Sequence, residues 1–348
     1  SSSSAASDVY KRQVPGNKIT PIVVSIVAAA GIMIPKLSSR AISSACGTSD
    51  FVETFCDVEL DGDRLKRICN EVGGVFAWGG SMNLAPVDDM VIKIEHPLGI
   101  NPRAQMLASI MSKKVAVSTT HLLVDVPTGA GTKVPTIEDA RAYARDLMDL
   151  GEKLGMHVEC AITYADQPVG NAVGPKLEAR ECIRILEGER HPASVIEKAC
   201  ECAGIILEMS GIPNGAAKAR EILESGEAHR KFMEIVVAQG GSPDLKADDL
   251  KPGEFSEDVV AVKSGYIHSI RNKDVVAIAK AAGAPNDKGA GLMIYKKKGQ
   301  RVEAGETLFT IYADNEAKLR RARETAMKYP PMEIEGMLLK RVSSVPVR

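Results

Sequence analysis

Aromatic side chains are scarce in this chain, at 4% of 348 residues with a single tryptophan. Proteins that hold single-stranded nucleic acid stack its bases on such rings, so a stacking platform is excluded for want of material. An excess of one charge sign is missing too. Lys and Arg number 44 against 45 Asp and Glu, a net charge of -1. Gripping nucleic acid through bulk positive charge is thereby excluded, and we expect no nucleic-acid partner. No CxxC pair and no HExxH string occurs, and the six histidines are dispersed. The seven cysteines, at 46, 56, 69, 160, 182, 200 and 202, are odd in number and scattered. This usage fits reduced thiols in a cytoplasm, not a disulfide framework or a zinc site, and no metal centre is expected.

Long apolar runs are also lacking. The most apolar stretch, Ile19–Ile34, is interrupted by Thr20, Pro21, Ser25 and Gly31. A bilayer needs about 20 apolar residues in a row, so the stretch reads as a buried helix and not as a membrane span. The opening SSSSAASDVYKRQ has no apolar core and is no signal peptide. Its serine run and the break in composition at Val14 mark residues 1–13 as a leader foreign to the fold.

What is present is an ordinary globular balance, 45% hydrophobic and 26% charged, with length for two or three domains. A polar loop is expected over residues 36–50 and a helix over 61–73. The VFAWGG segment is apolar, and residues 90–94 read as a short strand. Asn101-Pro102 opens a helix over 103–115, Asn as N-cap and Pro in the first turn. HLLVDVP, 121–127, is a buried strand by its continuous apolar run. A glycine loop, Thr128–Lys133, leads to a helix capped by Thr136 with Asp139 and ended by Gly155. The next strand is 157–165. A strand, a crossover helix and a second strand argue for parallel pairing. Helices follow over 177–186, 194–209 and 216–238. Beyond a linker at 242–257, strands at 259–270, 292–297 and 307–312 and a helix at 274–282 form a separate α+β unit.

Three stretches have the chemistry to hold an anion. The 38–50 loop carries Ser38, Ser39, Arg40, Ser43, Ser44, Gly47 and Thr48: hydroxyls, backbone N–H groups and one guanidinium. The same composition suits a solvated, turn-rich loop. Ser109 and Lys113 stand four apart and share a helix face that can hold a polar ligand or simply meet water. Thr128-Gly-Ala-Gly-Thr-Lys133 follows a strand, where ligands of open α/β sheets bind, and could equally be a tight turn. It is neither GxGxxG nor a loop ending in GK[ST], so the NAD and ATP readings are weak. No acid–base dyad or nucleophile elbow accompanies these loops. Together they point to a phosphorylated small molecule.

The strings VPGNKIT (14–20), SSRAISSACGTSD (38–50), WGGSMNLAPVDD (78–89), ASIMSKK (108–114) and QPVGNAVGPKLEAR (167–180) resemble the archaeal-type AMP phosphorylase branch of the thymidine phosphorylase family. GAGLMIYKKKGQRVEAGETLFTIYA fits as well, and the resemblance covers about residues 14–343. It implies an α/β fold with a mixed or parallel sheet and flanking helices, a small helical domain segment and a C-terminal α+β domain. The α/β part would take 14–86 and 117–241, the helical part 87–116 and the last domain 256–343.

The activity implied is that of a pentosyltransferase. A nucleoside 5′-monophosphate (AMP, also CMP or UMP) reacts with phosphate to give free base and ribose 1,5-bisphosphate. Phosphate is a co-substrate, no cofactor is implied, and the partners are nucleotide, phosphate and further copies of the chain in a homodimer or larger oligomer. By resemblance Ser39, Arg40, Ala41, Ile42, Ser43, Ser44 and Thr48 contact nucleotide and phosphate. Ser109 and Lys133 complete the nucleotide site, and Lys113 matches a lysine of the related nucleoside enzymes. Asn101 stands where the family carries an aspartic acid as proton donor. An amide is no general acid at neutral pH, though it can donate a hydrogen bond. A Lys-His-Ser-containing phosphate segment belongs before Val14, where Gln13 and the leader stand, so the chain reads as N-terminally truncated. The alternatives are a pyrimidine nucleoside phosphorylase and a catalytically impaired nucleotide-binding fragment.

Overall fold

The computed structural model describes residues 5–9, 15–41, 44–81, 103–116, 118–132 and 134–342. In chain order the elements are β1 (Ala5–Val9), α1 (Thr20–Ala29), β2 (Ile34–Ser38), α2 (Thr48–Val52), α3 (Gly62–Val72), β3 (Gly74–Trp78) and α4 (Arg103–Ala116). Then come β4 (His121–Thr128), α5 (Ile137–Lys153), β5 (His157–Tyr164), β6 (Ala172–Val173), α6 (Pro175–Leu186), α7 (Ala193–Met209), α8 (Gly215–Glu224) and α9 (Glu227–Ala238). The chain closes with β7 (Phe255–Val260), β8 (Gly265–Ile270), α10 (Asn272–Ala282), β9 (Gly291–Ile294), β10 (Arg301–Val302), β11 (Thr307–Ala313), α11 (Glu316–Lys328) and β12 (Met332–Glu335).

The α/β part is parallel, as expected. β4 pairs with β5, Asp125 opposite Ala161, and β2 pairs with β3, Leu37 opposite Ala77. β1 pairs in parallel with β4 and also packs beside β2. Residues 5–9, set aside from the fold on composition, therefore supply a strand, the outer one of the sheet β1-β4-β5. Backbone pairing asks only for an extended segment, and the polar composition of SSSSAASDV did not forbid one.

Helix α1 is apolar all round and buried over nearly its whole length, which suits a helix inside a core. It packs on α7, α8 and α9. Ile34 leaves that run and enters β2, so the first residues of the expected 36–50 loop are strand. α3 begins at Asp61, whose carboxylate accepts the Arg64 N–H at 2.7 Å, and ends at Gly73, in the left-handed region. α5 starts where Thr136 accepts the Asp139 N–H at 3.1 Å. The expected helix 216–238 is two helices. Gly226 at φ +81° turns the chain between them, a conformation other residues resist.

The C-terminal residues build their own apolar core from Ile267, Ile278, Leu292, Phe309, Ile311 and others. The expected strand 259–270 divides at Lys263–Ser264. β7 pairs with β11 in one sheet, and β8 joins β10 and β12 in another. The first sheet has the order β6-β9-β11-β7, so it takes one strand from outside residues 256–343. Val173 and Ala45 are buried in the same core. The expected strand at 90–94 and the Asn101 cap lie outside the described residues. Among the described residues no helix is long and apolar enough to cross a membrane.

Candidate active site

The loop after β2 is shaped by one carboxylate. Asp50 Oδ2 accepts the Ala41 N–H at 2.6 Å and the Gly47 N–H at 2.7 Å, drawing the two ends of the loop together. Gly47 is required there. A Cβ would lie 2.5 Å from the Ser39 carbonyl oxygen and 2.6 Å from the Ala41 nitrogen, both backbone atoms that cannot yield. Ser38 and Ser49 join their hydroxyls at 2.8 Å, and Ser44 Oγ donates to the Cys46 carbonyl at 3.2 Å. Thr48 is buried at the start of α2. Burial pushes the Asp50 carboxyl above its ordinary range, and the two backbone donors pull it back.

The structure thus gathers Ser39, Arg40, Ala41, Ser44 and Thr48 in one folded loop. Ile42 and Ser43 lie outside the described residues. Arg40 engages carboxylates through one corner of its guanidinium. Its Nη2 donates to Glu53 at 2.7 Å and to Glu59 at 2.8 Å, and the group lies 4.3 Å from the Trp78 ring centre. These acidic neighbours stand thirteen and nineteen residues further along the chain, beyond the reach of a local reading. The three charges border an open groove of about 420 Å³ together with Phe55, Asp57 and Gly240.

Ser109 and Lys113 are half-buried on α4, while Ile110 and Met111 between them enter a core with Leu122, Val124 and Tyr143. The helical face read from their spacing is real. Asn101 and Lys133 lie outside the described residues. The loop after β4 is tied to the one after β5, the Ala130 N–H donating to Asp166 at 2.5 Å.

Two buried ionic clusters were missed by sequence reading. Asp125 Oδ2, at the carboxyl half of β4, pairs with Lys198 Nζ at 2.7 Å and accepts Asn17 Nδ2 at 3.2 Å, and its Oδ1 accepts the Thr163 hydroxyl at 2.5 Å. One acid inside the apolar run LLVDV was the available signal. Second, Lys18, completely buried, donates to the Val169 carbonyl at 3.1 Å and pairs with Glu181. Glu181 also accepts the Asn171 N–H at 3.0 Å, and Glu178, one turn earlier, accepts that of Gly174 at 3.2 Å. Helix α6 therefore anchors the strand-end loops at 16–18 and 169–174, and α2 packs on it too.

Lys297 closes this cluster from the C-terminal unit. It donates to the Pro168 carbonyl at 2.8 Å and to that of Gly170. Burial, aided by the charge of Lys18, lowers its ammonium to about 7. Cysteine chemistry is not favoured. Burial pushes Cys69 and Cys202 up to about 12, leaving little thiolate at neutral pH. Among the described residues no cluster of His, Cys, Asp and Glu could hold a metal ion.

Comparison with known proteins places these features in a setting. The model of the glycosyl transferase family, a/b domain, matches residues 17–229, and that of the pyrimidine nucleoside phosphorylase C-terminal domain matches 266–332. AMP phosphorylase of Thermococcus kodakarensis is 52% identical over 95% of this chain and 67% of its own length. That of Methanococcoides burtonii is 49% identical over 95% of this chain and 66% of its own. For the Pyrococcus abyssi protein of the same name the figures are 51%, 94% and 65%. The chain spans about two thirds of the length of these relatives. Among solved structures, anthranilate phosphoribosyltransferase from Thermus thermophilus superposes with a TM-score of 0.55 at 19% identity, over 68% of this chain and 78% of that one. This likeness speaks to the fold alone.

Proposed function

We propose a function from one premise: this chain belongs to the glycosyl transferase family, in the branch of the AMP phosphorylases. The reaction is phosphorolysis of a nucleoside 5′-monophosphate. An oxygen of inorganic phosphate forms a bond to the sugar C1′, the bond from C1′ to the base nitrogen breaks, and the base leaves with its electron pair and takes up a proton. The products are free base and ribose 1,5-bisphosphate, and the enzyme is a pentosyltransferase. No oxidation occurs, and the reaction as written needs no cofactor.

The observation that carries this reading is the loop drawn shut by Asp50. An oxocarbenium-like transition state is stabilised by two anions held still, and a preorganised loop of hydroxyls and backbone donors does that without rearranging during the reaction. Ser39, Ala41, Ile42, Ser43, Ser44 and Thr48 contact nucleotide and phosphate, with Ser109, Lys113 and Lys133 completing the site. Arg40, held by Glu53 and Glu59, belongs to the same contact set. The α/β part is the catalytic one, and the oligomer contact falls to the helical segment. The protein works in the cytoplasm in the breakdown of nucleotides, as a homodimer or larger assembly. Gel filtration with light scattering reads the assembly.

The test is release of base from AMP, CMP, UMP and thymidine in the presence of phosphate. AMP, CMP or UMP above thymidine is expected, and thymidine above all three would overturn the reading. Position 101 decides the rate. An aspartic acid there can protonate a departing purine, an effect worth about 10²–10⁴-fold. Asn101→Asp is expected to raise the AMP rate within that range, and an unchanged rate would refute the role of position 101. Binding of AMP with no release by either form would mark the chain as a nucleotide-binding fragment.

A further inference from the structure

The C-terminal unit meets the candidate site at one point that the family reading leaves unused. Lys288 lies just before β9, where the chain is pinned on both sides. Its carbonyl accepts the Lys176 N–H at 3.0 Å, and the next carbonyl, of Gly289, accepts the Gly253 N–H at 2.9 Å. Gly174 approaches so closely that a Cβ there would lie 2.3 Å from the Ala290 carbonyl oxygen. From this fixed base the Lys288 ammonium pairs with Glu53 Oε1. The other oxygen of Glu53 accepts Arg40, and Arg40 also reaches Glu59. Lys288, Glu53, Arg40 and Glu59 form an alternating row of charges along the outside of the 39–50 loop. The same loop sends Ala45, 1% exposed, into the apolar core of the C-terminal unit. The positive charge of Lys288 also favours the ionised Asp50 that closes the loop.

We propose that Lys288 is a positioning residue, through which the C-terminal unit sets the shape of the nucleotide-binding loop and hence its affinity for a nucleoside monophosphate. The proposal rests on the function proposed above. The Lys288–Glu53 pair is about one third and one fifth exposed. Pairs this open contribute little to global stability. Losing Lys288 therefore shows in the loop and in ligand affinity, not in whether the protein folds.

The experiment compares the full chain with Lys288→Met, Lys288→Gln and Lys288→Arg by three readouts. These are amide exchange over residues 38–50, the melting temperature, and AMP binding by calorimetry. Lys288→Met and Lys288→Gln are expected to speed exchange in the loop about tenfold and to weaken AMP about fivefold, with little change in melting temperature. Lys288→Arg keeps the charge and restores most of both. In a Glu53→Gln background Lys288→Met adds nothing further. Loop exchange that stays at the parental rate overturns the proposal, and so does an equal AMP loss in the Glu53→Gln background. If the parent itself binds no AMP, the proposed function fails. The exchange measurement then decides alone whether Lys288 shapes the loop, and a parental rate again overturns it.

Discussion

Replacing Asp50 by alanine removes the one acceptor shared by Ala41 N–H and Gly47 N–H, at 2.6 and 2.7 Å. The two donors do not suffer equally. The Gly47 contact is buried, so its N–H is left without water or partner, which costs about 1–3 kcal/mol. The Ala41 contact is only partly buried, and water recovers some of it, leaving about 0.5–1.5 kcal/mol. Against this stands the relief of a carboxylate whose burial already disfavours its charge. After that relief the sum is about 1–4 kcal/mol, all of it in opening the loop. At about 1.4 kcal/mol per factor of ten, amide exchange over residues 38–50 should quicken by roughly 5- to 700-fold. Asp50→Asn retains one oxygen, which can accept both N–H groups without the charge, and should show a clearly smaller effect than alanine. AMP affinity should fall in the same order, alanine below asparagine below parent. Exchange in Asp50→Ala within about threefold of the parent would refute the claim that this carboxylate closes the loop.

The buried pair of Asp125 and Lys198 yields a second expectation. Lys198→Met strands the carboxylate with only the Asn17 and Thr163 donors and should cost about 3–5 kcal/mol in urea denaturation, part of it regained by adding Asp125→Asn. A loss below about 1 kcal/mol would refute it. Lys297 predicts a pH dependence. Its folded value, about 7, lies below the ordinary 10.5, so between these values the unfolded chain binds the extra proton. Stability then rises with pH across that window as the folded lysine becomes neutral. Lys297→Met should lack this rise when urea midpoints are compared from about pH 6.5 to about pH 9, and parallel profiles for the two proteins would contradict it.

Much of the fold was legible because its signals are local. Asp61 and Gly73 bracket a helix by cap chemistry that needs no partner elsewhere in the chain. Thr136 does the same for Ile137–Lys153, and the apolar run at 121–127 reads as a buried strand from composition alone. Where sequence reading failed, the deciding partner was distant. Ala5–Val9 is a strand because β4 presents a free edge to it. Ala172–Val173 is a strand because β9 lies alongside. The stretch 259–270 divides because its halves find different sheets. In the site, the hydroxyl-rich loop was visible as a string, but the carboxylates around Arg40 were not. A guanidinium suits phosphate and carboxylate alike, and only the fold brings Glu53 and Glu59 to it.

Taken alone, the order of residues determined the periodic elements, their caps, the parallel α/β character and the stretches able to face an anion, since these follow from neighbours along the chain. Tertiary structure alone decided which charges cancel. Lys18 meets Glu181 across 163 positions, Lys198 meets Asp125, and Lys288 meets Glu53 across 235. An ion pair's energy depends on distance and burial in space, and neither is written in sequence separation.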